Sequence, residues 1–142
     1  MLKGIPCILS PMLLKILMEM GHGDDLVLAD GNFPSESFGK RVVRADGHGI
    51  AELLRAILNF FPLDTYVEHP VTLMAVVAGD RVKTPIWEEY KKIVKTVGEN
   101  TAEFEYLERF AFYEKAKDAY AVVATSEKAL YANIILKKGV VV

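Results

Sequence analysis

Residues 19 to 30 read Glu-Met-Gly-His-Gly-Asp-Asp-Leu-Val-Leu-Ala-Asp, and this stretch decides the fold because it joins a helix to a buried strand. The run Leu26 to Ala29 is short and wholly apolar, which predicts a strand inside a sheet. His22 lies between two glycines, where the backbone can turn sharply and leave the ring exposed. Asp30 follows the strand at its carboxyl end, the edge where open α/β sheets bind ligands. We predict that His22 and Asp30 meet at one rim of the sheet as an acid-base pair.

The composition describes one folded domain spanning residues 1–142. Hydrophobic residues make up 51% of the chain and charged residues 25%, which is typical of a globular protein. A net charge of −2 with both signs interspersed gives no basic footprint, so neither nucleic acid nor a membrane surface is an expected partner. No segment approaches the roughly 18 to 20 apolar residues of a membrane span. The single Cys7 cannot form an internal disulfide, which favours a reducing compartment and a cytoplasmic location.

Apolar periodicity predicts helices alternating with strands along the whole chain. The predicted helices cover residues 11–20, 50–61, 85–97 and 109–116, and the predicted strands cover 26–29, 41–45, 71–78, 104–107, 120–124 and 133–136. Residues 31–35 are predicted to form a turn, and residues 125–128 a turn or a single helical turn. This alternation indicates an α/β fold, a single layered domain with a mixed or largely parallel β-sheet flanked by helices.

Polar side chains in the second half of the chain extend the candidate site. Arg109 lies among aromatic residues, where a guanidinium can be held rigidly enough to donate several directed hydrogen bonds, although surface ion pairing with Glu108 or Glu105 is the simpler alternative. Tyr131 and Asn133 flank a small residue just before a strand and offer a phenol and an amide.

Two other patterns carry weaker signals. Gly47-His48-Gly49 follows a strand and opens a helix, as in dinucleotide-binding proteins, but Glu52 occupies the place of the third glycine, so His48 more simply belongs to a helix-entry turn. A metal site built from the three histidines lacks the usual ligand spacing, and no metal is predicted.

Several long motifs in the same order resemble the L-fucose mutarotase and ribose pyranase family, and the match runs from about residue 11 to residue 140. The motifs are Glu19-Met20-Gly21-His22-Gly23-Asp24, Asp30 with Phe33-Pro34, Arg44-Ala45-Asp46-Gly47, Arg109-Phe110-Ala111-Phe112-Tyr113-Glu114-Lys115-Ala116 and Tyr131-Ala132-Asn133-Ile134-Ile135-Leu136-Lys137-Lys138-Gly139-Val140.

The resemblance implies an isomerase that interconverts the α and β anomers of a free sugar without a cofactor. It implies that His22 is the catalytic proton donor and that Asp30, Arg109 and the segment Tyr131-Ala132-Asn133 hold the sugar. Arg109 stands where the ribose branch typically has a histidine, which favours L-fucose as the substrate. Ala132 stands where fucose-branch relatives often have glycine, which keeps ribose pyranase activity as an alternative.

The resemblance also implies a ring-shaped homo-oligomer, commonly a decamer, with active sites at the subunit boundaries. Tyr131 and Asn133 would then come from the neighbour of the subunit that supplies His22. Asp30 would either orient the sugar or tune His22, and the general base would be Tyr131 or a water. The rival function is a non-catalytic sugar-binding or regulatory module, and a nucleotide-binding protein is the third possibility.

Overall fold

The computed structural model describes all 142 residues and contains six strands in one sheet, with five helices around it. The strands are β1 (Asp25–Ala29), β2 (Val42–Ala45), β3 (Val71–Met74), β4 (Glu105–Leu107), β5 (Ala121–Thr125) and β6 (Ile134–Lys137). The helices are α1 (Pro11–Glu19), α2 (Ser35–Phe38), α3 (Ile50–Leu58), α4 (Pro85–Thr96) and α5 (Arg109–Asp118). None of these helices is long and apolar enough to span a bilayer.

The six strands lie in the order β2-β5-β1-β6-β3-β4 across the sheet. Strand β6 pairs antiparallel with both β1 and β3, and every other pairing is parallel. Five strands therefore end at one edge, where β6 begins, and this edge is called the carboxyl edge below. The opposite edge, where β1 begins and β6 ends, is the amino edge. The predicted α/β fold with a mixed, largely parallel sheet is confirmed.

Strand β1 is buried on both faces, as its uninterrupted apolar run predicts. Leu26 and Leu28 are fully buried in the larger core, which contains the apolar faces of α1, α3 and α4. Val27 and Ala29 are fully buried in a smaller core on the other face, which includes Phe112 of α5. This alternation follows from the two-residue period of a strand, so one short segment anchors helices to both sides of the sheet.

Most predicted elements are confirmed, and the differences have local causes. Strand β3 ends at Met74 and not at residue 78, because its last paired residue lies opposite Leu107, where β4 itself ends. The short helix α2 is not predicted, because Ser35 belongs to a stretch rich in turn-forming residues. Helix α1 starts as predicted, with the Ser10 hydroxyl accepting a hydrogen bond from the Leu13 N–H at 3.1 Å.

A close backbone approach at the amino edge fixes the segment that follows α3. Gly139 donates its N–H to the Pro62 carbonyl at 2.8 Å, and Asp64 donates its N–H to the Lys137 carbonyl at 3.0 Å. A Cβ atom on residue 139 would lie 2.6 Å from the Leu63 carbonyl oxygen, a distance that real Cβ atoms do not show. Only glycine allows this approach, and it places Asp64 beside the end of β6.

Candidate functional site

A cavity of about 270 Å³ opens at the carboxyl edge, where loops after three parallel strands meet the start of β6. Its volume is close to the lower end of the range usual for small-molecule sites, which is about 300 to 1,000 Å³. It is lined by Asp30, Asn32, Phe33, Met74, Val77, Asp80, Arg109, Tyr113, Leu130, Tyr131 and Asn133. Four of the six residues predicted for the site, Asp30, Arg109, Tyr131 and Asn133, therefore line one cavity.

Asp30 and Asn133 form two hydrogen bonds with each other across the β1–β6 pair. The Asp30 N–H donates to Asn133 Oδ1 at 2.7 Å, and Asn133 Nδ2 donates to Asp30 Oδ2 at 3.0 Å. The Asn32 N–H donates to the other carboxylate oxygen at 2.9 Å. Both side chains are buried, so the carboxylate has one fixed orientation toward the cavity.

The environment of Asp30 changes its acidity. Burial raises the pKa of this carboxyl above its ordinary value, and the hydrogen bonds from Asn32, Phe33 and Asn133 oppose the rise without cancelling it. A carboxylate with a raised pKa is a stronger base than an ordinary one, which suits proton transfer.

Replacing Asn133 with alanine is expected to destabilise the protein, because the buried Asp30 N–H and carboxylate would each lose a partner. We expect the free energy of unfolding to fall by about 1–3 kcal/mol, measured by urea denaturation. Asn32→Ala is the control, since only the backbone of Asn32 contacts Asp30, and it should change stability by less than about 0.5 kcal/mol. Equal effects of the two substitutions would contradict this role for Asn133.

Tyr131 is held toward the cavity by an unusual backbone and a hydrogen-bond chain. Its φ of 56° lies in the left-handed region that non-glycine residues rarely adopt. Its hydroxyl donates to Asp80 Oδ2 at 2.7 Å and accepts from the Val77 N–H at 3.4 Å. The hydrogen bond to Asp80 raises the pKa of the Tyr131 phenol, so the phenol stays protonated and is a poor candidate for the general base.

Ala132 does not line the cavity. It is fully buried, and its carbonyl accepts a hydrogen bond from the Tyr90 hydroxyl at 2.8 Å. Trp87 likewise donates its indole N–H to the Tyr131 carbonyl at 2.8 Å. Two aromatic residues of α4 therefore fix the backbone between Tyr131 and Asn133, and the Ala132 carbonyl already accepts a hydrogen bond within the chain.

Arg109 is exposed at the start of α5, and its guanidinium faces aromatic rings. Its Cζ atom lies 5.6 Å from the Phe110 ring centre and 5.7 Å from the Tyr113 ring centre. The simpler ion-pair alternative is not observed, because Glu108 accepts hydrogen bonds from the first N–H groups of α5 and Glu105 accepts one from Thr72. The donors of Arg109 are therefore free to bind a ligand in the cavity.

The prediction that His22 and Asp30 meet at one rim of the same chain is wrong. His22 precedes β1 and lies at the amino edge, whereas Asp30 follows β1 at the carboxyl edge. The five residue steps from Asp25 to Asp30 alone span about 17 Å at the rise of a strand. His22 Nε2 contacts Asp64 Oδ1 at 3.2 Å, and the side chain is 46% exposed. Tyr66, with its ring centre 5.6 Å from that of His22, is exposed beside it.

The Gly47-His48-Gly49 segment is the helix-entry turn of α3, and its geometry disfavours a nucleotide site. The Gly49 N–H donates to Glu52 Oε1 at 3.0 Å, and the Ile50 N–H donates to Glu127 Oε2 at 3.1 Å. Carboxylates thus occupy the N–H groups that a phosphate would need.

The three histidines do not converge. His22 contacts Asp64, His48 contacts Glu52, and His69 contacts the Glu103 carbonyl. The alternative of a shared metal site from these side chains therefore has no geometric support.

Sequence reasoning missed two acidic residues next to the predicted ones. Asp80 comes two residues after the apolar run 71–78 that was predicted as a strand, so the rule that identified Asp30 after its apolar run could also have identified Asp80. Asp64 is separated from His22 by 42 residues, and no local pattern connects them.

Comparison with known proteins connects this geometry to a family. The model of the RbsD / FucU transport protein family matches residues 3–141. The chain belongs to this family. The match covers both edges of the sheet, so the RbsD / FucU relationship includes the cavity as well as the His22 loop.

Individual RbsD / FucU relatives match over almost their full length. A Homo sapiens protein named fucose mutarotase is 53% identical over 145 residues, which cover 98% of this chain and 94% of that protein. The crystal structure of a Streptococcus pneumoniae fucose mutarotase in complex with L-fucose has a TM-score of 0.94 and 53% identity, covering 99% of this chain and 100% of that one. FucU from Bifidobacterium longum has a TM-score of 0.95 and 62% identity with the same coverage.

Proposed function

We propose that this protein is a mutarotase that interconverts the α and β anomers of L-fucose, with residues 1–142 acting as one sugar mutarotase domain. The single observation that supports this most strongly is the cavity at the carboxyl edge, which combines a fixed carboxylate, an unpaired guanidinium and a phenol. These groups can form hydrogen bonds with the hydroxyl groups of a monosaccharide. Similarity to proteins named fucose mutarotase supports the choice of sugar.

Mutarotation needs one group that protonates the ring oxygen and another that removes the anomeric hydroxyl proton. When the bond between the anomeric carbon and the ring oxygen breaks, its electron pair goes to that oxygen, and the open-chain aldehyde forms. We assign His22 as the proton donor and Asp30 as the acceptor, and the two roles reverse when the ring closes. General acid-base assistance of this kind accelerates reactions by roughly 10²- to 10⁴-fold.

The remaining groups in the cavity bind and orient the sugar. Arg109, whose donors are unpaired, binds hydroxyl oxygens, and Tyr131 and Asp80 form a hydrogen-bonded pair whose oxygens can accept hydrogen bonds from sugar hydroxyls at the cavity mouth. Asn133 acts mainly by orienting Asp30, and Ala132 acts through its backbone position.

The active site requires two subunits, because the cavity and His22 lie at opposite edges of one sheet. The exposed apolar side chains Val77 and Leu130 at the mouth of the cavity, 47% and 54% exposed, favour coverage by a neighbouring subunit. We propose a ring-shaped homo-oligomer, a decamer, in which the His22 loop of one subunit completes the cavity of the next. A cytoplasmic location agrees with the free thiol of Cys7.

The second candidate is a sugar-binding module without catalysis, and the separation of His22 from the cavity favours it for a monomer. An isolated chain would bind the sugar but would lack the proton donor. Ribose pyranase activity is the alternative within the same reaction class.

Saturation-transfer NMR on a panel of L-fucose, D-ribose and D-galactose tests these options, with the oligomer size measured on the same sample by analytical ultracentrifugation. We expect an oligomer that accelerates anomer exchange most strongly for L-fucose. Binding of L-fucose by an oligomer without faster exchange would support the binding module and reject the enzyme.

A further inference from the structure

The histidine assigned as proton donor has a buried carboxylate directly behind it. Asp64 is only 3% exposed, and its Oδ1 atom lies 3.2 Å from His22 Nε2. This is the only hydrogen bond that the His22 ring makes within the chain. The other ring nitrogen, Nδ1, is unbonded on a side chain that is 46% exposed.

The backbone fixes Asp64 independently of His22. Its N–H donates to the Lys137 carbonyl at 3.0 Å, and its Oδ1 accepts the Tyr66 N–H at 2.9 Å. The preceding Leu63 pairs with Lys138 in an antiparallel bridge next to Gly139. The carboxylate therefore has a set position before the imidazole reaches it, as an orienting group needs.

The charge state of Asp64 determines which nitrogen of His22 carries hydrogen. Burial raises the pKa of Asp64, but the hydrogen bonds from Tyr66 and His22 and the positive charge of Lys137 outweigh it, so the pKa lies below its ordinary value. The carboxyl is therefore ionised at neutral pH, and an ionised carboxylate only accepts hydrogen bonds. The His22 nitrogen that faces it must be the donor, which leaves Nδ1 as the nitrogen that exchanges protons.

We propose that Asp64 is a positioning residue that holds the Nε2–H of His22, so that the doubly protonated imidazolium delivers its Nδ1 proton to the sugar ring oxygen and is left as the neutral Nε2–H tautomer. This inference rests on the proposed mutarotase function. After the transfer, the neutral ring keeps hydrogen on Nε2, still bonded to Asp64, and needs no rotation before it takes the proton back. Of the two roles expected for Asp30, tuning of His22 belongs instead to Asp64.

The test uses Asp64→Asn in the full-length protein. Asp64 Oδ1 contacts both the Tyr66 N–H and His22 Nε2, so the amide oxygen introduced by this substitution can keep both hydrogen bonds while the charge behind the imidazole is lost. Long-range ¹H–¹⁵N NMR of His22 without sugar reads the tautomer, and saturation-transfer NMR with L-fucose reads kcat and KM. We expect an Nε2–H ring in the native protein. Because a neutral amide stabilises the imidazolium less than a carboxylate does, we expect kcat of the variant to fall by about 10-fold or more, with KM within about 2-fold.

Asp24→Asn is the matched control, because Asp24 lies in the same loop and loses the same charge, but its Oδ2 accepts the Gly21 N–H and does not contact the ring. It should leave the tautomer and kcat unchanged. An unchanged kcat in Asp64→Asn, or an Nδ1–H ring in the native protein, would overturn the role of Asp64. The native spectrum tests this role even if the variant fails to fold. A native oligomer with the Nε2–H ring but no faster anomer exchange would instead overturn the proposed function alone.

Discussion

Replacing His22 with alanine is expected to lower the catalysed exchange between L-fucose anomers by roughly 10²- to 10⁴-fold, the full contribution of general acid-base catalysis. The physical reason is that ring opening then proceeds without a proton donor at the ring oxygen. Saturation-transfer NMR measures the exchange rate directly. Binding of the sugar should persist, because the cavity at the carboxyl edge keeps all its side chains.

The chain offers a closely matched control for this substitution. His48 also has a partly exposed side chain, also lies between two glycines and also contacts a carboxylate, with Nδ1 lying 3.1 Å from Glu52 Oε1. It is at the entry of α3 and outside the candidate site. His48→Ala should leave the exchange rate within about 2-fold, whereas equal losses in both variants would indicate a general effect of removing an exposed imidazole.

Mixing two inactive variants is expected to restore activity, which is the second large effect. His22→Ala subunits keep an intact cavity, and Asp30→Asn subunits keep an intact His22 loop. If subunits mix at random in equal amounts, about one quarter of the boundaries combine both intact halves, so activity should recover to about a quarter of the native value. Each variant alone should remain near the uncatalysed rate.

The mixing experiment requires exchange of subunits, so the two variants are unfolded together and refolded, or produced together in one cell. Variants refolded separately and then combined are the control. An active site contained in a single chain predicts no recovery in the mixed oligomer, because every chain would still carry one defective half. This result would refute the assignment of the site to two subunits.

Much of the fold could be predicted from local sequence, because burial and periodicity are local signals. The run Leu26 to Ala29 has no polar residue, so a buried central strand was the consistent interpretation, and Ser10-Pro11 marked a helix start. The reversed direction of β6 could not be predicted. Residues 134–136 are as apolar as a parallel strand would be, and only their pairing with β1 and β3 reveals the direction.

Most residues of the candidate site could be predicted from the sequence, but their arrangement in space could not. Asp30 was identified because it ends a buried strand, but its partner Asn133 is 103 residues away, beyond any local pattern. The prediction that His22 contacts Asp30 was wrong because it inferred contact from their closeness in the sequence. A strand carries its two flanking residues to opposite edges of a sheet, so eight residues of separation implied distance and not contact.

The reversed strand β6 has a consequence for how this sequence can vary. Its first residue follows Asn133, which orients Asp30, while its last residue, Lys137, accepts the Asp64 N–H at its carbonyl oxygen beside the His22 loop. Inserting or deleting one residue in β6 would turn its alternating side chains to the wrong faces and displace both ends together. In the proposed oligomer, each subunit would then damage both the pocket that it lines and the pocket that it completes in its neighbour, so length changes should not be tolerated in β6.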